Sequence, residues 1–211
     1  MRMVFVMTVP AAVGLIVLAA PIVSVLYQHG RFSAADAAET AAALRYYALG
    51  LCGYAALKVL VNAFYAIDRR KTPMMVSLGA MGLNLLLCWL LTVRFHWGPK
   101  GLALSTACVA TTNFLVLYGL MRHHLGRLES RAMLAMLVKL GLACGALALI
   151  CWGGSHWLLG NWALERFWPK LGALMAVIVA GAGAFFGFAM LLGIEEVREI
   201  THAVRRKLHA R

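Results

Sequence analysis

The sequence predicts an all-α integral membrane protein with six transmembrane helices. Three observations predict it. Of the 211 residues, 63% are hydrophobic and only 13% are charged, whereas a soluble domain runs near 45–50% apolar and about 25% charged. Six continuous apolar runs each approach the ~20 residues needed to cross ~30 Å of hydrocarbon. Those runs are rich in Leu, Ala, Val, Gly and Met and lack the alternation of a barrel strand.

The first run, about 4–27, carries Pro10 and Pro21. A spanning helix tolerates proline where neighbours satisfy the freed carbonyls. No cleavable leader is expected: Arg2 is a thin basic start and no small-residue cleavage site follows. The second run, about 43–66, is preceded by a polar helix start. Ser33 and Asp36 make an S-x-x-D capping box. Asp36 and Glu39 suit the positive end of the helix dipole. Residues 34–42 thus form a solvated first turn or two, outside the hydrocarbon.

The third run, 73–94, opens on Pro73, and the fourth, 101–121, follows a tight turn marked by Pro99 and Gly101. The fifth and sixth runs cover 132–152 and 169–193. In them Gly141 with Gly145, and Gly183 with Gly187, form small-xxx-small pairs that read as helix-packing surfaces or, alternatively, as a surface that receives a lipid chain. Trp97, Trp157, Trp162 and Trp168 fall near the predicted outer boundaries, as interfacial aromatics do. The link 153–168 suits the outer surface. Residues 194–211 form a short basic amphipathic helix, with Ile194, Val197, Ile200, Val204 and Leu208 at helical spacing. It either lies on anionic inner-leaflet lipid or is a solvated tail.

Lys and Arg set the orientation. One side holds Arg2, Arg69, Arg70, Lys71, Arg122, Arg127, Arg131, Arg198, Arg205, Arg206, Lys207 and Arg211, which makes twelve. The other holds Arg31, Arg94, Lys100, Arg166 and Lys170, which makes five. Both termini are therefore expected in the cytoplasm. The net charge of +12 is mainly this topology signal, and no nucleic-acid partner is implied.

The chemistry of enzymes has no foothold in the motifs. There is no G-x-S-x-G, no HExxH and no phosphate-cradling glycine loop. His123 and His124 are adjacent, so they point apart. Cys52, Cys88, Cys108, Cys144 and Cys151 all lie in spans without a CxxC, and read as small hydrophobes. No metal or other cofactor is expected.

Charges inside spans are costly, ~2.5–3.5 kcal/mol at the centre. The candidates are Arg45, Lys58 and Lys139. Lys139 is placed to snorkel to the inner surface, and Arg45 to the outer one. Lys58 lies deeper, with Asn62 one turn on and on the same face. It is either a snorkelling lysine or a cation facing a cavity that receives an anion. Arg45 is some 140° away around the helix at 100° per residue. Asn84, Thr106, Thr111, Thr112 and Asn113 supply polar groups to spans three and four, for interhelical hydrogen bonds or, alternatively, for an ion.

Several stretches together resemble one family. "TVPAAVGLIVLAAPIVSVLYQHGRFSAADAAETAAAL", "YALGLCGYAALKVLVNAFYAIDRRKTP" and "GPKGLALSTACVATTNFLVLYGLMR" look like the MurJ (MviN) lipid II flippases. The GRF-S-x-x-D opening, the K-V-L-x-x-x-F-Y-A run and the closing K-T-P are the most specific parts. The resemblance covers the C-terminal part of the family, about spans nine to fourteen of fourteen.

The resemblance implies a partial multidrug/oligosaccharidyl-lipid/polysaccharide exporter fold. Residues 1–122 would be four helices of the second transporter lobe, 123–193 two additional C-terminal helices and 194–211 the cytoplasmic tail. It implies a multi-pass protein of the bacterial inner membrane that flips lipid-linked peptidoglycan precursor between leaflets. Its partners would be that precursor, membrane lipids and a missing N-terminal half of the transporter. Lys58, with Asn62 and Arg45, carries over as the candidate cavity set; Asn84, Thr106 and Asn113 are candidate polar or ion contacts. Two departures stand out. Family loops of the "FYALGDTRTP" type place the acid one position later than Asp68, and Ala80 stands one turn before Asn84 where a second asparagine would fall. The alternatives are another exporter of the superfamily, for a different lipid-linked glycan or a drug, and a non-transporting scaffold of cell-wall synthesis. Drug exporters would favour acidic cavity residues, which these span interiors lack.

Overall fold

A computed structural model describes residues 2–27, 33–125, 130–158 and 167–193. It contains helices α1 (Arg2–Tyr27), α2 (Ala34–Ala66), α3 (Lys71–Trp89), α4 (Gly98–Leu125), α5 (Ser130–Leu158) and α6 (Phe167–Leu191). A π-helical turn, Leu90–Arg94, extends α3. No strand occurs among the described residues. Among the described residues six helices are long and apolar enough to cross a membrane, which matches the six predicted spans.

α2 has 33 residues. At 1.5 Å per residue that is about 50 Å, some 20 Å more than the ~30 Å hydrocarbon core. The excess lies at the Ser33 end, where the predicted cap forms. The Ser33 backbone N–H donates to Asp36 Oδ2 at 3.0 Å, and the Asp36 N–H donates to Ser33 Oγ at 3.2 Å. α2 ends where Asp68 turns left-handed, with φ 55°. The Asp68 N–H donates to the Tyr65 carbonyl and the Arg69 N–H to the Phe64 carbonyl. Such a position favours glycine and next tolerates Asp or Asn. Asp68 therefore occupies the glycine of the "FYALGDTRTP" pattern, which is why the acid comes one position early.

The chain forms two compact units. The first holds the second half of α1 with α2, α3 and α4. Ala19 and Val23 of α1 pack with Ala37, Ala41 and Leu44 of α2. α4 packs broadly against both α2 and α3, which barely touch each other. Gly50 meets Ala107, and Gly53 meets Ala110 and Thr111. The numbers rise together, so α2 and α4 run parallel. Leu60, Phe64, Leu117 and Met121 close this interface, with Val76 of α3 against them. Leu91 meets Gly101 and Cys88 meets Ser105, so α3 is antiparallel to α4. An ion pair of 3.8 Å between Glu39 and Lys100 joins the predicted outer ends of α2 and α4.

The second unit joins the first half of α1 to α5 and α6. α5 and α6 form an antiparallel hairpin in which Gly154 meets Val177 and Gly181 meets Cys151 Sγ. The expected packing of the four-residue glycine pairs does not occur within this hairpin. Gly141, Gly145, Gly183 and Gly187 have open space at their Cβ positions and are exposed. Their four-residue spacing permits close approach, but it does not decide which face turns inward. The large side chains Leu140, Leu147, Leu174 and Phe185 take the inner face instead.

Residues 194–211 and 159–166, with Arg31, Arg127 and Trp162, lie outside the described residues, as do the side chains of Arg131 and Trp168. The amphipathic tail and part of the outer link fall among them.

Candidate functional site

α2 places Lys58 and Asn62 one turn apart on an exposed face. Neither makes a hydrogen bond or ion pair among the described residues. The packing glycines Gly50 and Gly53 and the apolar Leu60 and Phe64 turn the opposite sector of α2 into α4, which leaves Lys58 pointing outward. An ammonium without a carboxylate beside it is free to bind an anion, and in a water-excluded site that attraction is strong.

Arg45 does not join this pair. Its Nε donates to the carbonyl oxygen of Ile16 at 3.3 Å, across the α1–α2 hairpin. It stands thirteen residues before Lys58, roughly 20 Å along the helix axis. The structure thus separates the candidate cavity set into an exposed Lys58–Asn62 pair and an arginine tied to backbone.

The polar residues of α3 and α4 divide similarly. The Cys88 thiol donates to Asn84 Oδ1 at 3.1 Å, and its sulfur lies 2.9 Å from Ser105 Oγ. The Ser105 hydroxyl donates to the Leu102 carbonyl at 2.9 Å. The Cys88–Ser105 contact links α3 to α4 when the thiol or the hydroxyl turns its one hydrogen from its own-helix acceptor into that contact. Thr106 Oγ1 donates to the same Leu102 carbonyl at 2.8 Å, a back-bond within its own helix. Thr111 does likewise to Ala107. Asn113 is only 8% exposed, and its Oδ1 has no hydrogen-bond partner among the described residues. Asn84, Thr106 and Asn113 share no hydrogen bond, and no group of three or more His, Cys, Asp or Glu gathers among the described residues. The sequence gives no sign of Ser105 and reads Cys88 as a small hydrophobe, whereas the antiparallel register of α3 and α4 sets the two polar groups face to face. Lys139 is exposed on α5.

The comparisons with known proteins agree with one another. The family described as lipid II flippase MurJ matches residues 1–172. A probable lipid II flippase MurJ of Haemophilus influenzae is 32% identical over 209 residues, covering 95% of this chain and 38% of the relative. One from Bdellovibrio bacteriovorus is 30% identical, covering 90% and 35%. The lipid II flippase MurJ of Burkholderia cenocepacia is 30% identical, covering 92% and 37%. A solved lipid II flippase MurJ in an inward closed conformation superposes with a TM-score of 0.70 at 22% identity, over 90% of this chain and 37% of that one. It shares the fold. The chain spans under two fifths of the length of these relatives. The chain belongs to the lipid II flippase MurJ family.

Proposed function

We propose that the chain acts in translocating undecaprenyl-pyrophosphate-linked peptidoglycan precursor, lipid II, across the bacterial inner membrane, as the C-terminal part of a flippase. Its work is transport rather than catalysis. A remaining N-terminal half would complete the cavity, and both ends of this chain would lie in the cytoplasm. One observation carries the reading: Lys58 and Asn62 stand exposed on a membrane helix with no ion-paired carboxylate beside them among the described residues. The family's named substrate carries a pyrophosphate, which such an ammonium complements. The pocket for the anion would form where α2 meets the first lobe.

The test is Lys58→Leu in a full-length context, read as lipid II exposed on the outer leaflet at equal expression. A cavity lysine predicts impaired exposure, with Lys58→Arg milder because charge stays while geometry changes. Normal exposure with Lys58→Leu removes Lys58 from the transport path. Insertion would then improve, since ~2.5–3.5 kcal/mol of burial cost disappears.

A further inference from the structure

The exposed face of α2 carries more than Lys58 and Asn62. Tyr47, Tyr54, Lys58, Asn62 and Tyr65 follow one another at intervals of seven, four, four and three residues. At 100° per residue all five lie within about 40° of Lys58. All are exposed, the tyrosines by 45%, 42% and 52%. The flanking sectors of α2 are filled by α1, through Ala37 and Ala41, and by α4, through Gly50, Gly53 and Leu60. None of the five side chains has a hydrogen-bond partner among the described residues.

Depth makes this face unusual. Tyr54 sits at the middle of the predicted crossing segment 43–66, about 17 Å from either end at 1.5 Å per residue. A phenol cannot span that distance to reach interfacial water. Tyrosines of membrane helices gather at the interfaces, where the ring is in lipid and the hydroxyl is wet. A mid-membrane hydroxyl, amide and ammonium in one row need polar company, because hydrocarbon supplies none. The row is also without acid: α2 has no Asp or Glu after Glu39. Its charge therefore suits an anion.

We infer that Tyr54 and Tyr65, with Tyr47 beyond them, extend the Lys58–Asn62 pair into a binding track for the saccharide attached to the lipid pyrophosphate. Lys58 meets the phosphate. Asn62 and the phenol hydroxyls exchange hydrogen bonds with sugar hydroxyls, and the ring faces cover the C–H faces of the sugar. This inference rests on Lys58 as an anion contact. It adds that the neighbouring tyrosines read the glycan.

The experiment places the chain in its full-length context, with the remaining half of the transporter present, in nanodiscs. Benzoylphenylalanine replaces Tyr54, Tyr65 or, as control, Leu49, which is 56% exposed on the opposite side of α2. The probes are lipid II and undecaprenyl pyrophosphate without sugar. Photocapture of lipid II several-fold above the Leu49 control at both positions, with weaker capture of the sugar-free lipid, is the expected result. Equal capture of the two probes overturns the saccharide track, and so does capture no greater than at Leu49. With the photoprobe at position 65, Tyr54→Leu should lower lipid II capture several-fold, while Tyr54→Phe keeps most of it through the ring. Loss with Lys58→Leu but not with Tyr54→Leu removes the tyrosines and leaves the lysine reading intact. The reverse pattern keeps the track and removes the anion contact.

Discussion

Gly50 lies so close to Ala107 that a Cβ built on it would stand 2.8 Å from the Ala107 Cα. The neighbour is backbone, which cannot swing aside. Gly53 repeats the approach one turn on, against Ala110 and Thr111. Gly50→Leu should therefore destabilise the first unit by about 1–3 kcal/mol, the usual cost of overpacking. Gly141→Leu, in open space, should be near neutral. Thermal unfolding in detergent compares the two, and equal midpoints would refute the assigned α2–α4 contact.

Arg45 should behave as a positioning residue. Pro21 has no N–H to offer the Val17 carbonyl, and Arg45 holds the carbonyl of the preceding residue, Ile16. A hydrogen bond from a charged donor is worth ~1.5–3 kcal/mol. Arg45→Leu should lower the unfolding midpoint. Where a second-site stabiliser restores folding, it should leave lipid II exposure normal. Lost exposure at restored stability would return Arg45 to the cavity.

Asp68 holds a left-handed backbone at φ 55°, and its ion pair of 3.3 Å with Arg70 is solvent-exposed and so worth little. Asp68→Gly should be neutral or stabilise by up to ~1 kcal/mol. Asp68→Val should cost roughly 1–2 kcal/mol. Circular dichroism melts of the two variants decide it: a valine as stable as glycine would place the turn elsewhere.

The twelve-to-five distribution of Lys and Arg predicts the sidedness. In a cysteine-free background, a thiol reagent that cannot cross the membrane should label Ala35→Cys from outside but not Arg70→Cys. Labelling of position 70 in intact cells would invert the topology.

The helices were legible because hydropathy over twenty residues is a summed signal, and because Ser33 and Asp36 sit at the spacing of a capping box. The Lys58–Asn62 face was legible from period alone. What stayed hidden was partner choice. Gly141 and Gly145 have the same spacing as any packing pair, yet Gly154 and Gly181 make the contacts. Nothing in one helix's period names the surface it meets. Arg45 was hidden for a related reason: its partner is a main-chain carbonyl, and every residue has one. The tyrosine row was visible in the spacing, but each tyrosine singly resembles an interfacial aromatic.

The position of α4 between α2 and α3 has a consequence for biogenesis. Two helices made in succession barely touch, so neither can complete its packing when it leaves the ribosome. About 60 residues separate the end of α2 from the end of α4, and synthesis at ~5–20 residues per second takes roughly 3–12 s to supply them. For that interval the glycine face of α2 is open to lipid or to whatever protein guards nascent membrane segments. A pause in translation after α3 would lengthen the exposure, whereas one after α4 would not.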